Sequence, residues 1–472
     1  MFVSLMLCLS DKSRVRSAHD SRNNKRSEET AIRTYLPVAF ILLVPVAASA
    51  VPWQRDYVVD KYEPAFYYGA KTGTMEPGSD CPKGTTPDSD YTAMLKTTWR
   101  SDAEVADILR SATTAVNGKF NTNREYRISS ALRNRSFRKD IDTWVNPFTA
   151  PDPGMQEVTG KIGEGFNLDH NATTGFVSPT GEKGVDNNLY RVMGCGMAYR
   201  GAPYSAYLSV RGNDKMLEGL YTIVIRVSGN KDPMNDDDAV VEIGYSPDHA
   251  VKNSGGGVVP DYSYRIVKDA QYTRTKAVVK NGVVQTAQTP DLRMPGFAWF
   301  ENNRGESVFH QGILRLAVNA DGTSAGLVGG YLDWRDFYGK DTFDTNSSAG
   351  TRETYYHENQ VAKYYALKRN ADGLPDATTG QEMGISAAYR FTVQPAHVVD
   401  PQKPATINEP LTGTEAATYR ELFRKASLTA TIVSPPVRKG GRRDDDAGPA
   451  DDVKPQADGK REASNEVQRA TP

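Results

Sequence analysis

TKAVVKNGVVQT, Thr275 to Thr286, sets Asn281-Gly282 between two Val pairs. Asn-Gly accepts the positive φ angles of a two-residue type I′ turn, so the stretch predicts a β-hairpin. Outward from it the same chemistry repeats. Tyr204 to Arg211 (YSAYLSVR), Leu220 to Val227 (LYTIVIRV), Ala239 to Tyr245 (AVVEIGY), Tyr262 to Val267, Ile313 to Val318, Leu327 to Trp334 and Ile385 to Val393 are short runs rich in β-branched and aromatic residues. Turn clusters separate them, as between strands. Many short strands with hardly any amphipathic helix between them predict a mainly β fold: an antiparallel β-sandwich or jelly roll over 155–400. Two peripheral helices are expected. One follows the capping box Ser101-Asp102-Ala103-Glu104, and the other spans Thr414 to Lys425 with Ala416, Tyr419, Leu422 and Phe423 on one face.

The 472-residue chain is long enough for a full core. Its first fifty residues read as a signal peptide with an unusually long n-region. Leu36 to Ala47 (LPVAFILLVPVA) follows Lys25, Arg26 and Arg33 and precedes Ala48-Ser49-Ala50, an A-x-A cleavage pattern. The run falls short of a membrane span and contains two prolines, so no stable span is expected in the mature chain. Residues 51–154 read as an irregular segment packing on the core, 401–433 as a linker with a short helix, and 434–472 as a charged, disordered tail. From residue 51 onward the chain carries 50 basic and 54 acidic side chains. That near-balance argues against a nucleic-acid-binding surface or a polybasic membrane patch.

Only Cys81 and Cys195 lie beyond the leader, and an exported compartment lets them pair. Cys195 closes GEGFNLDHNATTGFVSPTGEKGVDNNLYRVMGCGMAY, Gly163 to Tyr199, the chain's densest concentration of glycine and Asn/Asp. In it Asn167, Asp169 and Asn171 alternate as the ligands of a calcium loop do, with Asp186 nearby. Asp236 and Asp238 form a second acidic cluster. The EF-hand pattern fails, because Ala172 and Ser178 stand where Gly and Glu are required. Calcium is therefore the candidate ion, set against turns that use Asn and Asp for their own backbone hydrogen bonds.

No convergent catalytic constellation is legible. Gly322-Thr323-Ser324-Ala325-Gly326 matches G-x-S-x-G by letter, but a strand-like run follows it where a nucleophile elbow needs a helix. The histidines show no paired-ligand spacing. Asp333 and Asp336, beside Tyr331, Trp334 and Tyr338, come closest to a sugar-facing aromatic platform with acids attached. The expectation is an exported, periplasmic or secreted, non-enzymatic binding or structural protein whose partner is a glycan or envelope component. Its rival is a secreted polysaccharide-active hydrolase drawing acids from Asp333, Asp336 and Glu301.

Overall fold

The computed structural model describes residues 52–67, 80–83, 95, 101–113, 137–138, 141–196, 212–296, 306–318, 324–343, 360–400, 414–429, 431 and 433. The expected leader, Tyr204 to Arg211, Glu301 and the charged tail lie outside these residues. Among the described residues no helix is long and apolar enough to cross a membrane.

Of the strands among the described residues, eight build a barrel: β1 (Trp53–Pro64), β2 (Thr222–Gly229), β3 (Asp236–Ser246), β4 (Thr273–Lys280), β5 (Val283–Thr286), β6 (Glu306–Val318), β7 (Ser324–Asp333) and β8 (Glu382–Val399). The anticipated hairpin joins β4 to β5. Lys280 faces Val283 across Asn281 and Gly282, whose φ angles are 48° and 78°. Each strand pairs antiparallel with the next in the chain, and β8 returns to pair with β1. The result is a closed up-and-down barrel and not the expected sandwich. Both architectures need the same alternation of inward apolar and outward polar residues, so the pattern could not separate them. Closure is decided by Trp53–Pro64, which hydrogen-bonds β2 on one side and β8 on the other.

One face of every strand is buried. A cross-strand row runs from Tyr62 through Phe391, Gly326, Leu316 and Val284 to Val279. A side chain on Gly326 would run into the Phe391 ring, so glycine makes room for it. Tyr389 stacks on Tyr62 at 5.3 Å between ring centres and meets the Phe309 edge at 5.5 Å. Eight strands leave an interior just wide enough for such side chains. The opposite face carries Arg226, Glu242, Lys276, Arg315 and Arg390. An apolar lumen inside a charged exterior reverses the arrangement of a lipid-embedded barrel.

Five α-helices lie outside the barrel among the described residues: α1 (Asp102–Thr113), α2 (Asn188–Met193), α3 (Trp334–Phe343), α4 (Gln360–Asn370) and α5 (Thr414–Thr429). The capping box of α1 forms as expected, with the Ser101 amide donating to Glu104 Oε2 at 2.8 Å and the Glu104 amide to Ser101 Oγ at 3.3 Å. α5 occupies the second expected helical segment. The last three helices share an aromatic hub in which Tyr338 packs on Phe423 at 4.5 Å and Trp334 on Tyr364 at 5.5 Å.

Candidate functional site

The outer face of β6, β7, β8 and β1 carries two parallel rows. Ala317, Ala325, Thr392 and Lys61 are cross-strand neighbours in the first; Arg315, Leu327, Arg390 and Glu63 in the second. The small side chains of the first row leave a shallow floor. A wall stands over it, supplied by residues 163–196. Within that stretch Ser178-Pro179-Thr180-Gly181-Glu182 is a tight turn, with the Ser178 amide donating to Glu182 O at 2.7 Å and Gly181 at a φ of 93°. Gly165 lets the chain pass close under Asp186, where a Cβ would sit 2.8 Å from the Asp186 carbonyl. Asn187 then anchors the passage, its Nδ2 donating to Glu164 O at 2.8 Å and its Oδ1 accepting from the Tyr190 amide that starts α2.

Wall and floor enclose a groove of about 480 Å³, within the range of small-ligand sites. Its charges alternate. Glu63 pairs with Lys61 and with Arg390 Nε, both at 3.0 Å, Arg390 reaches Glu164 at 3.2 Å, and Arg315 reaches Glu182 at 3.4 Å. Arg315 also lies 5.1 Å from the centre of the Phe166 ring. Three cations and three carboxylates thus rim an apolar strip. Such a site suits an extended ligand that carries both signs of charge.

No family model, curated protein or solved structure matches this chain. The reading of the site therefore rests on its own geometry.

The expected disulfide is present. Cys81 and Cys195 are joined, with their Cα atoms 5.8 Å apart, and they pin the end of the wall-forming stretch. The candidate calcium ligands serve turns. Asp186 Oδ2 accepts from the amides of Leu168 at 2.7 Å and Asp169 at 3.3 Å, Asp169 Oδ1 from the Asn171 amide at 2.8 Å, and Asn171 Oδ1 from the Thr173 amide at 3.0 Å. Asp236 Oδ2 takes hydrogen bonds from Trp53, Asn230 and Lys231, each at 2.9 Å, and Asp238 lies 3.6 Å from Lys276. Within this set Asn167 Oδ1 alone is buried without a partner.

Tyr331, Trp334 and Tyr338 are buried, so the aromatic platform expected from sequence does not form. Trp334 and Tyr338 belong to the helical hub, and Tyr331 packs against Phe166 and Leu168 under the wall. Asp333 caps α3, its Oδ1 accepting from the amides of Arg335 at 2.8 Å and Asp336 at 3.3 Å. Both acids still line a second pocket of about 330 Å³, with Asp291, Glu306, His310 and Lys340. There the Asp291 carboxylate holds His310 Nδ1 at 2.7 Å, and Arg293 bonds Glu306 at 2.6 Å.

Sequence reading missed Lys61, Glu63, Arg315 and Arg390. The available signal was the outward position of each in an alternating strand, but nothing local reveals that Arg315 and Arg390 share one face.

Beneath the wall, burial raises the Asp372 carboxyl to about 6. The Ser386 hydroxyl and amide pull it down, at 2.6 and 2.7 Å, while the nearby Asp186 and Asp169 charges push it up. A carboxyl whose folded pKa is raised takes up its proton more readily folded than unfolded. Stability from this group is therefore gained as pH falls from about 6 towards the ordinary value near 4, and is missing above that window. At about 1.4 kcal/mol per unit the charged form costs up to about 3 kcal/mol. Asp372→Asn is expected to unfold about 1–3 kcal/mol later than the parent at pH 7.5 and to lose that advantage at pH 4, because the Ser386 hydroxyl can rotate to accept from the new amide. Urea titrations at the two pH values check this; an equal difference at both excludes titration of Asp372 as its cause.

Proposed function

We propose that the protein is an exported, non-enzymatic binding protein that uses its closed barrel as a rigid support and holds an extended, peptide-like ligand in the groove over β6, β7, β8 and β1. The carrying observation is the strip of Ala317, Ala325 and Leu327 between rims of alternating charge. A peptide backbone can lie flat on small side chains, while its acidic and basic groups exchange with rim pairs that are individually weak where exposed. The leader-like apolar run and the disulfide support export.

The test is an array presenting peptides of mixed Ala, Lys and Glu content beside glycans of the cell envelope. Retention of peptides is expected, with binding weakened at least about tenfold in Ala325→Trp, since a bulky side chain on the floor leaves no room for the ligand. Ala325 is exposed, so the stability of the variant should be unchanged. Glycan binding with no peptide binding would replace the ligand class; binding that Ala325→Trp leaves intact would place the site elsewhere.

One observation favours the rival hydrolase. Asp333 and Asp336 open into the same pocket as the Asp291–His310 pair, an arrangement in which a histidine oriented by a carboxylate could take a proton from water. Release of reducing ends from envelope polysaccharide, abolished in both His310→Ala and Asp336→Asn, would support it.

A further inference from the structure

A buried ion pair joins α3 to α4, one residue along α3 from Lys340 of the second pocket. Lys363 of α4 and Asp341 of α3 are each 1% exposed at the side chain, and the Lys363 ammonium contacts Asp341 Oδ2 directly. One residue further along α3, Thr342 donates to Gln360 Oε1 at 3.0 Å, and Gln360 precedes Lys363 by one turn of α4. Two buried polar contacts therefore fix the facing surfaces of the two helices in register, and they hold amine and carboxyl together.

Separating two charges from water is costly even when they pair. Burial favours the neutral amine over the ammonium. Desolvation pulls the Lys363 amine in that direction. An amine held in direct contact with a carboxyl group is an arrangement in which proximity replaces collision.

We propose that Lys363 Nζ and Asp341 Cγ are joined in the folded protein by an intramolecular isopeptide bond. Nζ attacks Cγ; the Nζ–Cγ bond forms as one Cγ–O bond breaks. The departing oxygen leaves as water with two of the three protons first carried by the ammonium, and the third stays on the amide nitrogen. No oxidant, reductant or co-reactant is required. The bond spans 22 residues and closes the segment between α3 and α4 into a covalent loop. The inference is independent of the ligand proposed for the groove.

The experiment is an intact-mass measurement on the full folded chain after denaturation and reduction of the disulfide. The wild type is expected about 18 Da, one water, below the mass of its own sequence. Lys363→Met and Asp341→Ala are expected at full mass. Tryptic mapping of the wild type should give one branched peptide joining the two segments, with no cleavage after Lys363. This map keeps the test decisive where a variant fails to fold. A wild type at full mass overturns the proposal. So does a water loss mapped to Asp321-Gly322 or Asp372-Gly373, where cyclisation of the aspartate would produce the same mass change.

Discussion

Replacing both Cys81 and Cys195 by alanine should destabilise the protein by about 4–5 kcal/mol, the loop-entropy value for a cross-link of this span. The two cysteines are 114 residues apart in sequence and buried where they meet. Cutting the link frees the denatured chain most when the closed loop is long. In the folded state it also releases the anchor of the groove wall. Asp80, beside Cys81, accepts the Thr159 and Gly160 amides at 2.9 and 3.3 Å, while Cys195 lies just past α2. The affinity of the groove for the proposed peptide ligand should therefore fall together with stability. Equilibrium urea unfolding of oxidised parent and double variant measures the first effect; a loss below about 1 kcal/mol would show that the bond constrains little.

Arg226→Met should cost about 3–5 kcal/mol, as expected when one member of a buried charge network is removed. Arg226 projects outward from β2 but is largely covered. Its Nε bonds Asp56 at 3.2 Å, its Nη1 bonds Asp400 at 3.1 Å and lies 3.6 Å from Glu242, and its Nη2 donates to the Val398 carbonyl. Asp56, Arg226, Glu242 and Arg274 are successive cross-strand partners on β1, β2, β3 and β4. Methionine fills much of the volume yet leaves Asp56, Glu242 and the Val398 carbonyl short of a donor. Arg226→Lys should recover little, because one ammonium cannot fork to four acceptors on different strands.

The acid side of the profile carries a second signature. Burial pushes Glu242 up, but the Tyr272 hydroxyl, Lys268, Arg274 and Arg226 together hold it below the usual carboxylate range. Its stabilising contribution is present above pH 4.5 and is lost as pH falls through the depressed folded value. Removing Arg226 should shrink that loss. Urea titrations of parent and variant at pH 7 and pH 3 decide the matter: a difference between them that stays the same at both pH values would detach Glu242 from Arg226.

What the amino acids disclosed was local. The Asn281-Gly282 turn, the alternating strands, the α1 capping box and the Cys81–Cys195 pair follow from chemistry within a few residues or from counting. Closure is not local, because β1 and β8 reveal their pairing only through partners hundreds of residues apart. α4 was illegible for another reason. It is buried at Val361, Ala362, Lys363, Tyr364, Ala366 and Leu367, so no polar face marks a helical period. α3 hid behind Asp333, which reads equally as the end of a strand and as a helix cap; taking it for strand turned Trp334 and Tyr338 into a surface platform. The groove was half legible. Its wall stood out by composition, whereas its floor needs four strands in register.

Closing the barrel through its first and last strands also sets the order of assembly. The Val398 amide donates to Asp56 across 342 residues at 2.8 Å. A ribosome delivers β1 long before it delivers β8, so through most of synthesis β1 is an edge without its second neighbour, an invitation to pair with another chain. Contacts of such sequence separation form slowly. The yield of folded protein should therefore be limited by how long that edge stays open during synthesis more than by the stability of the finished barrel.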